Sequence, residues 1–206
     1  MNKLKKISFF AIISVFILLL FFSSCQNKIE NIPTEIIQED GGTVLLAENS
    51  VIDFYFYYPQ NWKIDRSEAM ISIYIEDAEL LKSDIELSKD ENAQYIGKPN
   101  LLANFYNIES GTYQTAEEFW TAFALPQYES LYQDLEIVSA EDLTVDKIPA
   151  KKYTYTCSLT GMKFKNSQVI FIKNNKVYVL LYTATENQHS KYINVLDKAA
   201  ETFKFK

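Results

Sequence analysis

Val177 to Tyr182 is apolar at every position, and this run constrains the chain more than any other stretch. A strand reads that way when both of its faces are buried. It is joined through Asn174-Asn175 to Lys163–Ile172, a second strand-like run. Asparagine tolerates the left-handed backbone that tight hairpin turns need, so the two runs form an antiparallel hairpin. A strand with two dry faces requires cover on both sides, which implies three layers. Tyr153 to Leu159 alternates as another strand, with Tyr153, Tyr155, Cys157 and Leu159 on its inward side. Glu136–Ser139 and Leu143–Val145 read as two short strands.

Earlier in the chain, Thr43–Ala47 and Val51–Tyr58 form a hairpin. In the second strand Phe54, Phe56 and Tyr58 share one face, and Asp53, Tyr55 and Tyr57 share the other. Pro59 ends it, since proline cannot donate to a ladder, and Trp62 is placed to plug the edge of the core. Met70–Ile75 and Leu101–Ile108 are further strands. Between them, residues 76–100 are acidic and irregular, with a short helix at 78–82. Thr115-Ala116-Glu117-Glu118 is a capping box that opens a helix with Ala116, Phe119, Trp120 and Phe123 as its buried stripe. Pro126 interrupts, and Tyr128, Leu131, Tyr132 and Leu135 mark a second helical piece. A last helix runs over 186–202, with Tyr192, Ile193, Leu196, Ala199, Ala200 and Phe203 facing inward. Hairpin-linked strands interrupted by helices predict an α+β fold, an α/β/α sandwich around a central antiparallel sheet.

The N-terminus fixes where such a domain works. Lys3, Lys5 and Lys6 precede an apolar run over 7–22, and Ser23-Ser24 then lead to Cys25. A charged start, an apolar centre and small residues at the exit describe a secretory signal peptide. The run is slightly short of the ~20 apolar residues of a relaxed membrane span, and the lysines place the chain beyond it outside the cytoplasm. Phe22-Ser23-Ser24-Cys25 resembles the lipobox of bacterial lipoproteins, although Leu is usual at the first position and Gly or Ala at the third. That resemblance implies removal of residues 1–24, lipid on the Cys25 thiol, and a domain on the extracytoplasmic face of a bacterial cell membrane. A transmembrane anchor with an incidental cysteine is the alternative. Gln26 to Gly42, with Pro33 and Gly41-Gly42, reads as a flexible tether spanning roughly 25 Å. The domain then covers 43–206.

The whole chain carries 20 basic and 27 acidic residues, a net charge of −7. Loss of the three leader lysines makes it −10, a surface that repels nucleic acid. With Cys25 lipidated, Cys157 stands alone and no internal disulfide can form.

The chain resembles the PsbP-like group. The matching pieces are Phe56-Tyr57-Tyr58-Pro59-Gln60-Asn61-Trp62-Lys63, the turn Ile148-Pro149-Ala150-Lys151 before a Thr/Tyr strand, Lys176-Val177-Tyr178-Val179-Leu180, and the closing Thr202-Phe203-Lys204. Asp146-Lys147 departs from the glycine usual near that turn. The resemblance implies the same α/β/α sandwich. Known members, a lumenal photosystem II subunit and a Ran-binding nuclear-transport factor, act by binding proteins and offer no catalytic motif to transfer.

No catalytic site emerges from the residues themselves. His189 is the sole histidine, so a Ser-His-Asp, Cys-His or zinc site would have to use it. Its neighbours Asn187, Gln188, Ser190 and Lys191 suggest a solvated position at the start of the last helix. Cys157 lies on an inward strand face with no base nearby, which suggests a structural thiol. Asp84, Glu86, Asp90 and Glu91 are the nearest approach to a calcium site, and no D-x-D-x-D-G loop accompanies them. No phosphate-binding glycine loop occurs. The expectation is a non-enzymatic module without cofactor or metal, held to the membrane through Cys25, that binds another envelope protein or stabilises an assembly. The alternative is a small-ligand or calcium binder using residues 76–100.

Overall fold

The computed structural model describes residues 32–67, 69–76, 97–159 and 161–206, and Pro33–Lys206 form one unit. The expected signal peptide over 1–24, Cys25, the expected short helix at 78–82 and the acidic residues 84–91 lie outside the described residues.

The fold class read from the sequence is the observed one. Seven antiparallel strands form the main sheet in the order β4-β5-β6-β10-β9-β8-β7. They are β4 (Lys63–Arg66), β5 (Met70–Tyr74), β6 (Asn100–Asn107), β7 (Gln133–Val145), β8 (Ile148–Leu159), β9 (Met162–Lys173) and β10 (Lys176–Thr185). The doubly apolar strand β10 is at its centre, between β6 and β9. A smaller sheet has the order β1-β2-β3-β11: β1 (Glu35–Ile37), β2 (Thr43–Ala47), β3 (Phe54–Pro59) and β11 (Lys204–Phe205). The first hairpin therefore belongs to a separate sheet, and its second strand begins at Phe54, not Val51. Val51 and Ile52 instead donate their amides to the Asn49 side chain, both at 2.9 Å, which turns the chain before β3 can start.

Two cores lie on the two faces of the main sheet. On one face, Phe54 and Phe56 of β3, Ile71, Leu101, Phe171, Leu180 and Tyr182 of the main sheet, Leu196 and Ala199 of the closing helix, and Phe203 just beyond its end pack together. On the other, Phe119, Trp120 and Ala124 pack on Tyr153, Tyr155, Cys157, Phe164, Ile170 and Val179. This explains the aromatic wealth: Trp120 stacks on Tyr153 at 4.1 Å, and Phe171 on Tyr178 at 5.4 Å.

Several expectations are corrected. Glu35–Ile37 is not tether. It pairs with Thr43–Leu45, and the Pro33 carbonyl accepts the Tyr57 hydroxyl at 2.8 Å, so folded structure begins ahead of residue 43. Tyr57 is consequently buried although it lies on the face opposite Phe54 and Phe56. The two short strands around 136–145 are one strand, β7, irregular between Gln133 and Glu136 and between Ile137 and Ser139. Asp146 and Lys147 join β7 to β8 with φ of 45° and 69°, matching Asn174 and Asn175 at 51° and 58°. Both turns have the paired positive φ of a type I′ hairpin. The last helix breaks at Ile193 into α3 (Glu186–Tyr192) and α4 (Asn194–Thr202). Among the described residues no helix is long and apolar enough to cross a membrane.

Candidate functional site: an exposed aromatic surface beside a π turn

Thr115 opens the first helix as expected: its hydroxyl accepts the Glu118 amide at 3.1 Å. The Glu118 carboxylate reaches one residue further back than a capping box requires, to the Gln114 amide at 2.6 Å. Helix α1 (Ala116–Phe119) then passes into a π-helical turn, Trp120–Ala124, and into α2 (Leu125–Leu131). Pro126 does not interrupt the helix. It has no N–H for the carbonyl four residues back, and the turn before it widens, the Leu125 amide bonding to the Trp120 carbonyl. One extra residue per turn rotates the side chains around the helix axis. Ala124 is buried at 5 % exposure, and Phe123, expected in the buried stripe, is 39 % exposed.

Phe123 meets an aromatic group at the surface. Its ring lies 5.1 Å from Phe119 and 6.3 Å from Tyr106, and Tyr113 meets Phe119 edge-on at 5.4 Å. Tyr106 is 42 % exposed, at the end of β6. Its hydroxyl accepts the Asn104 side-chain amide at 3.3 Å. Asn104 pairs with Met70 of β5, so Met70, Asn104 and Tyr106 share a sheet face, and Met70 is 40 % exposed. The helix packs over β8 and β9 and reaches Tyr106 of β6 through Phe119 and Phe123. Aromatic residues and methionine are enriched at protein interfaces, and π turns recur at functional sites. The residues themselves carried one signal of this: Pro126, placed inside an apolar helical pattern that continues beyond it.

The residues considered for chemistry are elsewhere and enclosed. His189 is not solvated: it is 6 % exposed, and its Nε2 lies 3.0 Å from the Ser167 hydroxyl, which lies 2.9 Å from that of Thr154. Burial, reinforced by Lys165 and Lys152 and opposed by Asp197, lowers its pKa to about 4, so the ring is neutral. A serine–histidine pair at this distance is one element of a nucleophilic site, but Ser167 is wholly buried, where a nucleophile needs an open face. Cys157 is 3 % exposed. Burial pushes its thiol up to about 11, against a bond from Asn166, the opposite of what a reactive thiol needs. No group of three or more metal-capable side chains occurs among the described residues. A cleft of about 840 Å³ lies between the β1–β2 turn and α4, and its Glu201 is already bonded to Lys198 at 2.9 Å.

The family model described as PsbP-like protein matches residues 8–205. The chain belongs to the PsbP-like family. Solved structures share the fold at low identity. A cyanobacterial PsbP from Synechocystis sp. PCC 6803 is 14 % identical with a TM-score of 0.51, covering 79 % of this chain and 92 % of its own. LpqN of Mycobacterium tuberculosis, described as involved in cell envelope biogenesis, is 14 % identical with a TM-score of 0.51, covering 83 % and 88 %. The Saccharomyces cerevisiae Ran-binding protein Mog1p is 7 % identical with a TM-score of 0.53, covering 79 % and 95 %. No curated protein sequence matches the chain. PsbP-like membership explains the two-core architecture and leaves the surface to be read from this chain's own residues.

Proposed function

We propose that this PsbP-like protein is a non-catalytic binding module, anchored through lipid on Cys25 at the extracytoplasmic face of a bacterial membrane, that holds another envelope protein on its Met70–Tyr106–Phe123 surface. The observation that carries the binding role is the π turn that brings Phe123 out beside Tyr106. A buried phenylalanine would stabilise this domain, yet the helix is built to expose it. The enclosure of Ser167, His189 and Cys157 supports the same reading, as does a fold shared with a protein named for Ran binding and another described as acting in envelope biogenesis. The segment Phe22-Ser23-Ser24-Cys25 supports the anchor, since a lipid chain contributes about 0.8 kcal/mol per buried CH₂ and two chains hold stably.

Two measurements test the parts separately. Metabolic labelling with a tagged fatty acid is expected to mark the chain and to spare its Cys25→Ser variant; an unlabelled chain contradicts the anchor. Affinity recovery from solubilised membranes, comparing the native chain with a Tyr106→Ala/Phe123→Ala double variant, is expected to yield a partner that the double variant loses. Equal recovery by both contradicts the surface.

A further inference from the structure

Strand β7 closes one edge of the main sheet, and no strand pairs with its outer side among the described residues. At 13 residues it is long for an edge. Edges are commonly kept short, because a row of unpaired N–H and C=O groups is a template for another strand. The two irregularities distort its first half, as bulges do where pairing is to be discouraged. Beyond them the distortion stops: Ser139 through Val145 pairs residue for residue with Thr154 back to Ile148. The outer groups of Ser139–Val145 therefore form a regular ladder that none of the described residues fills, with Ile137 and Val138 exposed at its start, 42 % and 51 %.

The charge on this edge selects its occupant. Asp134, Glu136, Glu141 and Asp142 lie along β7 with no lysine or arginine among them. Asp142 faces Lys151 at 3.6 Å; Glu141 accepts only the Ser139 hydroxyl, at 3.0 Å, among the described residues. A second copy of the chain would set the same acids against each other, and like charges opposite one another destabilise a ladder. Glu141 and Asp142 are consecutive, so they project to opposite faces of the sheet. A strand with consecutive lysines would meet one acid on each face.

We infer that Ser139–Val145 accepts an extended, lysine-bearing segment of another protein as an eighth strand. Backbone hydrogen bonds give the affinity and the acids give the charge selection. This edge is distinct from the aromatic surface and does not depend on lipid at Cys25.

The test uses the full chain in detergent and a labelled peptide, Thr-Val-Thr-Lys-Lys-Val-Thr-Val, followed by anisotropy and by amide hydrogen exchange. The peptide is expected to bind and to slow exchange within residues 139–145. Methylating its alternate backbone nitrogens is expected to abolish binding. A Glu141→Lys/Asp142→Lys variant is expected to bind it about tenfold more weakly and to prefer a peptide with glutamates in place of the lysines. The inference is overturned by no binding, by equal binding of the methylated peptide, by indifference to charge reversal, or by protection confined to other elements. Self-association that protects β7 without peptide also overturns it.

Discussion

Buried polar residues are where this chain is most sensitive to a single change. The Thr154–Ser167–His189 chain of hydrogen bonds crosses from the strands to α3, and the histidine within it stays neutral because burial disfavours its charge. Its folded pKa, about 4, lies below the ordinary value of 6.5. The unfolded chain thus takes up a proton first as pH falls. The stabilisation is fully present above pH 6.5 and is lost progressively down to about pH 4, a change on the order of 3 kcal/mol. Urea unfolding across this window is expected to show the loss, and His189→Gln, which keeps a polar group for Ser167, is expected to flatten it relative to the native chain. An identical slope in the variant would assign the acid sensitivity to carboxylates instead. Lys147 offers a change in the opposite direction. It holds φ of 69° with a full side chain, where left-handed backbone costs a non-glycine residue about 1 kcal/mol. Lys147→Gly is expected to raise the melting temperature by about 2–4 °C; a lowered one would show that the side chain contributes more than the backbone strain costs. The Asp146-Lys147 departure was visible in the sequence. The burial of His189 was not, because its sequence neighbours are polar and the hydroxyl it meets arrives from a strand 22 residues away.

Among the elements, the π turn separates two aromatic residues that a regular helix would treat alike. Trp120 is 4 % exposed and stacked on Tyr153; Phe123, three residues on, faces outward. Trp120→Ala is expected to destabilise by about 3–5 kcal/mol, whereas Phe123→Ala is expected to cost less than about 1 kcal/mol. Denaturant midpoints of the two variants check this, and a comparable loss in both would return Phe123 to the core. The strongest elements were legible because their signals are local: the Asn174-Asn175 hairpin, the Thr115 cap and the doubly apolar β10. The misread ones depend on distant partners. Glu35–Ile37 becomes a strand only because β2 offers an edge. The two halves of β7 fuse because β8 pairs with both across the irregularities. The helix continues past Pro126 because a widened turn accommodates the missing donor.

At the level of the whole molecule, an alternation of strands and helices with hairpin connections was enough to anticipate a helix-flanked antiparallel sheet. It left open that the first hairpin, with β1 and β11, would make a second sheet that shares one face with α4. The surface was less legible than the fold. Exposure of Phe123 and Tyr106 arises from geometry between β6 and a helix, of which Pro126 is the one local trace. The fold encloses Ser167, His189 and Cys157 and displays Phe123 and Tyr106, and this contrast is the basis of the proposed binding role. The most direct test of that proposal is a photo-crosslinking residue placed at Phe123 in the full chain in living cells, with the same residue at Lys198 as control. A discrete crosslinked envelope protein at position 123, absent at 198 and lost with Tyr106→Ala, is the expected result. Crosslinks that are absent at 123, or the same from both positions, would contradict it.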